Sequence, residues 1–277
     1  MEHFYSVKIA VLISGEYRKF DITRKTMSFL DDPNVDVYVS TWDKTIYEST
    51  KINLRTEYIV NEEIIRRDLN RSAVIRIDNH QLFTETKYNS KMINRWLTGF
   101  ELIKNSGIEY DNVIIMRPDL FFVKSHTPTN LQFLEKYNTG IAVVWATSLE
   151  KSKLGDILYT SSYRNISTLF SQLTVDKWLN DPENDWHIWW YNFVRGIFPE
   201  IFNCIEFDYV TFCRYWATNE HNFQDVLEIY HDWRDLRLLY EIDLMGRQWM
   251  NDSQVWPVEV VDNAFDRWNS GYFDKYK

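Results

Sequence analysis

Tyr110-Asp111-Asn112-Val113-Ile114-Ile115-Met116-Arg117-Pro118-Asp119-Leu120-Phe121-Phe122 is the stretch on which the reading of the whole chain turns. Val113 to Met116 is an apolar run of the kind that fills a buried strand. It passes directly into Arg117-Pro118-Asp119. An unpaired charge away from water is costly. An Arg and an Asp one residue apart therefore belong at the strand's C-terminal end, in a crevice. In open α/β sheets that edge is where ligands bind. The expectation is that Asp119 and Arg117 hold something charged, such as a metal-bound diphosphate.

Working outward, the same pattern of apolar run and polar end recurs. Val7 to Ile13, broken only by Lys8, reads as a buried parallel strand ending in Ser14-Gly15-Glu16-Tyr17-Arg18. A helix is expected from about Asp21, with Ile22, Thr26, Phe29 and Leu30 at helical spacing and a stop at Asp31-Asp32-Pro33-Asn34. Val35 to Ser40 is a second strand, ending in Thr41-Trp42-Asp43. Strand, helix and strand make the building block of a parallel sheet. Ile46 to Asn70 is mixed, with a helix near Asn61 to Leu69. Ala73 to Ile77 is a third strand, and Asp78 to Lys87 a loop. From Ser90 to Ile103 an amphipathic helix puts Met92, Ile93, Trp96, Leu97, Phe100 and Ile103 on one face, with Lys91 and Arg95 on the polar side. After the central strand come a strand at Ile141 to Trp145, a helix from about Asn165, an aromatic helix at Asp185 to Phe198 and a strand at Asn203 to Tyr209. His221 to Lys277 shows few clear periods.

These elements make an α/β fold with a mostly parallel sheet flanked by helices and an elaborated helical, aromatic C-terminal third. The 277 residues are 45% hydrophobic, enough for a full core, and no linker divides them. One domain, 1–277, is expected. With 8 glycines the chain has no Gly-rich phosphate loop. The net charge of −9 disfavours general nucleic-acid binding. Two cysteines, Cys204 and Cys213, make no disulfide framework and fit a reducing compartment. Met1 to Lys8 is not a signal peptide, and the apolar run after it is too short to span a membrane. A soluble, cytoplasmic protein is expected.

Each strand end admits two readings. Gly15 lets backbone approach a ligand, and Arg18 can fork onto phosphate oxygens; or both are ordinary loop residues. Trp42 stacks on a base or covers the core. Asp43 accepts from a base or ribose, or caps a turn. Asp119 serves a hard cation, which wants carboxylate oxygens and substrate phosphates, or it pairs with Arg117 or another Arg. Arg95 and Lys91 reach the phosphates or form a solvated face. Trp186, Trp189 and Trp190 stack on sugar rings or fill the core.

Ile9-Ala10-Val11-Leu12-Ile13-Ser14-Gly15-Glu16-Tyr17-Arg18 with Val35-Asp36-Val37-Tyr38-Val39-Ser40-Thr41-Trp42 resembles the opening of a bacterial and phage group of GT-A-type glycosyltransferases. Tyr110 to Leu120 resembles their central motif, and Gly155-Asp156-Ile157-Leu158-Tyr159 a later Asp-containing one. The resemblance implies a sugar-nucleotide donor, UDP-glucose being typical, a hydroxyl acceptor such as a glycan, and Mn²⁺ or Mg²⁺ held by an Asp-x-Asp motif. Asp119 takes the second Asp position. Arg117 replaces the first, which puts strict metal dependence in question. Ser14, Gly15, Arg18, Trp42, Asp43, Arg95 and Arg117 would shape the nucleotide site. Arg117 would assist Asp119 at the diphosphate, and Asp156 would contact or activate the acceptor, or else cap a helix or turn. Residues 1–125 would be the nucleotide-binding part and 126–277 the acceptor-side part. His231, with His187 and His221 as rivals, would be the C-terminal metal ligand. Two other readings remain: a non-catalytic carbohydrate-binding or scaffold protein, suggested by the aromatic content, and a DNA-base glucosylating enzyme, which needs a basic groove.

Overall fold

β1 (Ile9–Ser14) is buried along its whole length. Such a strand is stable only with a neighbour on each side and a layer on each face. In the computed structural model, β1 pairs in parallel with β2 (Val35–Trp42) on one side and with β6 (Asn112–Met116) on the other. The structure describes residues 7–17, 20–49, 54–83, 87, 90–122, 140–144, 154, 158–198, 200–203, 209–211 and 258–272. Two compact units are present, Met1–Ala217 and Thr218–Lys277. In the second, the described element is the helix α7 (Val258–Asn269), which falls where few clear periods were expected.

The first unit holds a seven-stranded sheet in the order β10-β8-β9-β6-β1-β2-β5. Its remaining strands are β5 (Val74–Asp78), β8 (Ile141–Val144), β9 (Leu158–Ser162) and β10 (Ile201–Asn203). β9 runs antiparallel to both β6 and β8, and the other pairings are parallel. The mostly parallel α/β sheet is the expected one. From β1 the chain winds outward through β2 to β5, then returns to the far side of β1 as β6. The topological switch point therefore lies between the C-terminal ends of β1 and β6.

Alternate side chains build two cores. Ile9, Val11, Ile13, Val35, Val37, Val39, Ile114 and Met116 face α1 (Phe20–Thr23) and α2 (Glu62–Leu69). Ala10, Leu12, Tyr38, Val113 and Ile115 face α3 (Ser90–Asn105) and the helices α4 (Tyr163–Gln172), α5 (Val175–Leu179) and α6 (Trp186–Ile197). Trp186, Trp189 and Trp190 lie in this second core beside Trp96 and Trp178. Asp185 caps α6 by accepting from the backbone of His187 at 2.9 Å.

Four elements depart from the expectations. The helix from Asp21 is only α1, followed by 3-10 turns at Arg24–Thr26 and Ser28–Asp31. Met27, with φ −105° and ψ 55°, breaks it, and the Arg24 Nε reaches out to the Leu69 carbonyl at 3.2 Å. The mixed segment after Asp43 contains an antiparallel hairpin, β3 (Lys44–Ser49) with β4 (Leu54–Ile59), joined across its strands by Lys44 and Glu57 at 2.8 Å. The late strand expected over Asn203 to Tyr209 lies, at 204–208, outside the described residues; to either side are β10, which ends at Asn203, and β11 (Tyr209–Thr211), which pairs antiparallel with β7 (Leu120–Phe122) off the main sheet. Arg95 sits on the buried side of α3, not its polar side.

Gly99 sets how closely α3 lies on the sheet. A Cβ there would fall 2.5 Å from Leu12 Cδ1 and 3.0 Å from Ser40 Cβ. Leu12 and Ser40 are both fully buried, so neither can yield cheaply. Gly99→Ala is expected to destabilise the first unit by about 1–3 kcal/mol in urea unfolding. An unchanged midpoint would show that α3 can lift off the sheet without cost.

Candidate functional site

Strand polarity brings the ends of β1, β2, β5 and β6 to one edge. Adjacent strands lie about 4.8 Å apart, so the edge from β6 to β5 runs roughly 14 Å, room for an extended ligand. At its inner end two turns meet. Gly15 has φ +124°, a conformation that a side chain resists, and a Cβ added to it would come 3.9 Å from Pro118 Cδ. The Gly15 carbonyl accepts from the Thr41 hydroxyl at 2.8 Å, and the Pro118 carbonyl from the Thr23 hydroxyl at 2.7 Å. Ser14 is buried beside Gly15, and its hydroxyl has no partner among the described residues.

Arg117 and Asp119 form the ion pair that was one of the two readings of Asp119. Arg117 Nε donates to Oδ1 at 2.8 Å, and Nη2 donates to Oδ2. Asp119 is 1% exposed, whereas the Arg117 side chain is 25% exposed. Arg117 is thus the member of the pair that reaches solvent. Mg²⁺ and its relatives keep several waters and take carboxylate oxygens at about 2.0–2.1 Å. A carboxylate this buried, with a guanidinium across both oxygens, does not fit such an ion as arranged. Among the described residues no three His, Cys, Asp or Glu side chains cluster as a metal site.

At the outer end Arg95 is the organising group. It is 1% exposed, and its Cζ lies 3.9 Å from the centre of the Trp42 ring. Nη1 donates to the Thr41 carbonyl at 3.0 Å, and Nη2 meets Asp78 Oδ2 at 2.5 Å. One guanidinium therefore ties α3 to the ends of β2 and β5. Trp42 is buried, with Phe83 and His80 edge-on to it at 5.5 and 5.9 Å between ring centres. Its ring covers the core instead of being offered to a base. Burial opposes the Asp78 charge most strongly, but Arg95 and then Arg76 outweigh it and hold the carboxyl below its ordinary range.

Asp43 caps a turn: its Oδ1 accepts from the His80 backbone at 2.8 Å. His80 was not anticipated. It follows β5 as Trp42-Asp43 follows β2, and the same rule about strand ends would have found it. Its Nε2 accepts from Lys91 Nζ at 3.0 Å. An ammonium only donates, so the ring is neutral there with its proton on Nδ1. Burial first, and the neighbouring Lys91 second, lower its pKa. Lys91 thus meets a side chain at the site's mouth.

Ser14, Gly15, Trp42, Asp43, Arg95, Arg117 and Asp119 are therefore all at this edge. His187, near the start of α6, has its Nδ1 2.7 Å from the Leu154 carbonyl. Arg18, Asp156, His221 and His231 lie outside the described residues.

No family model and no curated protein matches the chain. Among solved structures it is similar to the glycosyltransferase GlyE of Streptococcus pneumoniae TIGR4, at 12% identity and a TM-score of 0.38, over 72% of this chain and 45% of that one. A likeness of that size carries no functional weight. No described helix is long and apolar enough to cross a membrane.

Two outcomes follow from the outer cluster. Arg95→Met should cost about 2–3 kcal/mol in urea unfolding, below the usual range for a broken buried pair because Asp78 is partly exposed. Asp78 has its folded pKa depressed, so its contribution is present above the unfolded value near about 4 and is lost as pH falls through the folded value. The stability gap between wild type and Arg95→Met should therefore narrow below about pH 4. By NMR, His80 should titrate below about 6.5, and Lys91→Met should move it part of the way back up, burial being the larger cause. An unmoved His80 would break the proposed contact.

Proposed function

We propose that this protein is a glycosyltransferase that moves a sugar from a nucleoside diphosphate donor, with UDP-glucose the expected one, to a hydroxyl acceptor such as a glycan. The observation that carries the reading is the coincidence of Gly15 and Arg117-Pro118-Asp119 at the topological switch point. That is where open α/β sheets bind nucleotides. The motifs that resemble GT-A-type enzymes are the segments that form this point.

In this reading the nucleoside lies over the ends of β2 and β5, near Asp43 and His80. The diphosphate lies over Gly15, where no Cβ obstructs it. The acceptor oxygen bonds to the anomeric carbon as the bond from that carbon to the diphosphate oxygen breaks. The bonding pair leaves with the nucleoside diphosphate, and the hydroxyl proton passes to a carboxylate. Arg117 offsets the charge developing on the leaving group. Asp156 is the proposed acceptor-side carboxylate. It precedes by two residues Leu158, which pairs with Met116 at the end of the central strand.

The carbohydrate-binding alternative drew on the aromatic content. Trp186, Trp189 and Trp190 are buried in the core, so they no longer favour it.

A thermal-shift screen of UDP, GDP, UDP-glucose and free sugars tests the reading. A matching nucleotide at a hundredfold excess over its Kd should raise the melting temperature by roughly 5–10 °C. Gly15→Val should remove the shift. Stabilisation by free sugars and by no nucleotide, with or without Mn²⁺, would sink the proposal in favour of a binding protein.

A further inference from the structure

We infer that His80, held by Lys91, is a specificity residue, and that with Asp43 it selects a donor whose base carries a keto oxygen beside a ring N–H, as uracil and guanine do. The inference rests on the nucleotide-sugar reading and deepens it.

His80 and Asp43 are joined where β5 and β2 end. Asp43 Oδ1 accepts from the His80 backbone at 2.8 Å, and the Asp43 backbone N–H donates to the Asp78 carbonyl at 2.9 Å. The turn that carries His80 is closed on itself. Asn79 Oδ1 accepts from the Gln81 backbone at 2.8 Å, and the Asn79 carbonyl from the Leu82 backbone at 3.2 Å. His80 and Asp43 are both half-buried, so each is fixed in place and still open to a ligand.

Each side chain has one polar atom committed and one to offer. Lys91 Nζ occupies the His80 Nε2 at 3.0 Å, which puts the ring proton on Nδ1. Among the described residues neither that N–H nor Asp43 Oδ2 has a partner. A donor and an acceptor on neighbouring turns match an edge that offers an acceptor and a donor in return. Uracil O4 with its N3–H is such an edge, and guanine O6 with its N1–H is another. Cytosine and adenine present the reverse, an amino donor beside a bare ring nitrogen. They would set donor against donor and acceptor against acceptor, which leaves both protein groups unpaired. The selection holds only while the tautomer is fixed. Without Lys91, Nε2 could carry the proton and Nδ1 would accept. Lys91 therefore acts through the ring, as a positioning residue.

Leu82 ends the same turn and is 80% exposed. An apolar side chain beside a few placed polar groups suits a flat base better than a phosphate, which the Asp43 carboxylate would repel.

Calorimetric titration of the full chain with UDP, GDP, CDP and ADP tests this. UDP or GDP should bind at least about tenfold more tightly than CDP and ADP. His80→Phe keeps a ring but loses the donor. It should weaken the favoured nucleotide about tenfold and leave CDP within about twofold of its wild-type affinity. His80→Asn places an amide N–H where Nδ1 stood and should restore most of the preference. Asp43→Asn can still cap the turn but offers a donor where Oδ2 stood, and should shift the preference towards CDP. Lys91→Met frees the tautomer and should cut the preference severalfold. Melting curves check that each variant folds, and the wild-type order of affinities needs no variant. Affinities all within about twofold of one another, CDP or ADP bound most tightly, or a preference that survives His80→Phe would overturn the inference and leave the nucleotide-sugar reading standing. Binding of none of these nucleotides would take that reading down as well.

Discussion

β1 is closed on every side. β2 and β6 take its backbone hydrogen bonds, and the two cores take alternate side chains from Ile9 to Ile13. A strand so enclosed can carry no unpaired charge, because nothing near it would offset the lost hydration. Unpaired charge on the central strands is therefore displaced to their ends. Parallel pairing brings those ends to one edge, and the reversal in winding between β1 and β6 parts the two loops there. The site's location follows from the burial of the core, before any particular side chain is considered.

Two arginines at that edge show how little residue type says about role. Both stand beside a carboxylate. Arg95 is enclosed by Trp42, the Thr41 carbonyl and Asp78, so its charge is spent within the protein, joining a helix to two strand ends. Arg117 is matched to a carboxylate more deeply buried than itself, and its side chain is only partly buried. The first geometry is that of a support within the core; the second keeps the pair at the edge of the sheet.

Most of the sheet and the position of the site could be read from hydrophobic periodicity. β1 and β6 are apolar runs with polar residues at their ends, β8 is a short apolar run, β2 alternates and β5 is a short β-branched segment, and α3 follows its expected stripe to within two residues at its C-terminal end. The misses share a cause. β9 is Leu-Tyr-Thr-Ser-Ser, and Thr160 and Ser161 are buried through sheet pairing and a hydroxyl bond from Ser161 to the Gly140 carbonyl. Polarity concealed a core strand. The hairpin β3–β4 has cross-strand pairs where a buried strand would have an apolar run. Arg95 lies between Met92 and Gly99 on the stripe that packs against the sheet, so helical spacing already placed it inward. Its charge suggested solvent, and only the matching Asp78 and Trp42, distant in sequence, make burial tolerable. Partners remote in sequence cannot be recognised from one strand end alone.

The Arg117–Asp119 pair raises a question of charge. A carboxylate with a bound divalent ion presents one net positive charge to a diphosphate, whereas Arg with Asp presents none. Affinity must then come from direction and desolvation, not net charge. Hydrogen bonds to ionised groups are the strong ones because donor and acceptor approach closely and in line, and their strength rises as water is excluded. A carboxylate behind the guanidinium weakens its long-range field but fixes its plane. The overall charge of −9 means that the surface would attract anions weakly in any case. A pair of this construction would select by shape and direction more than by sign.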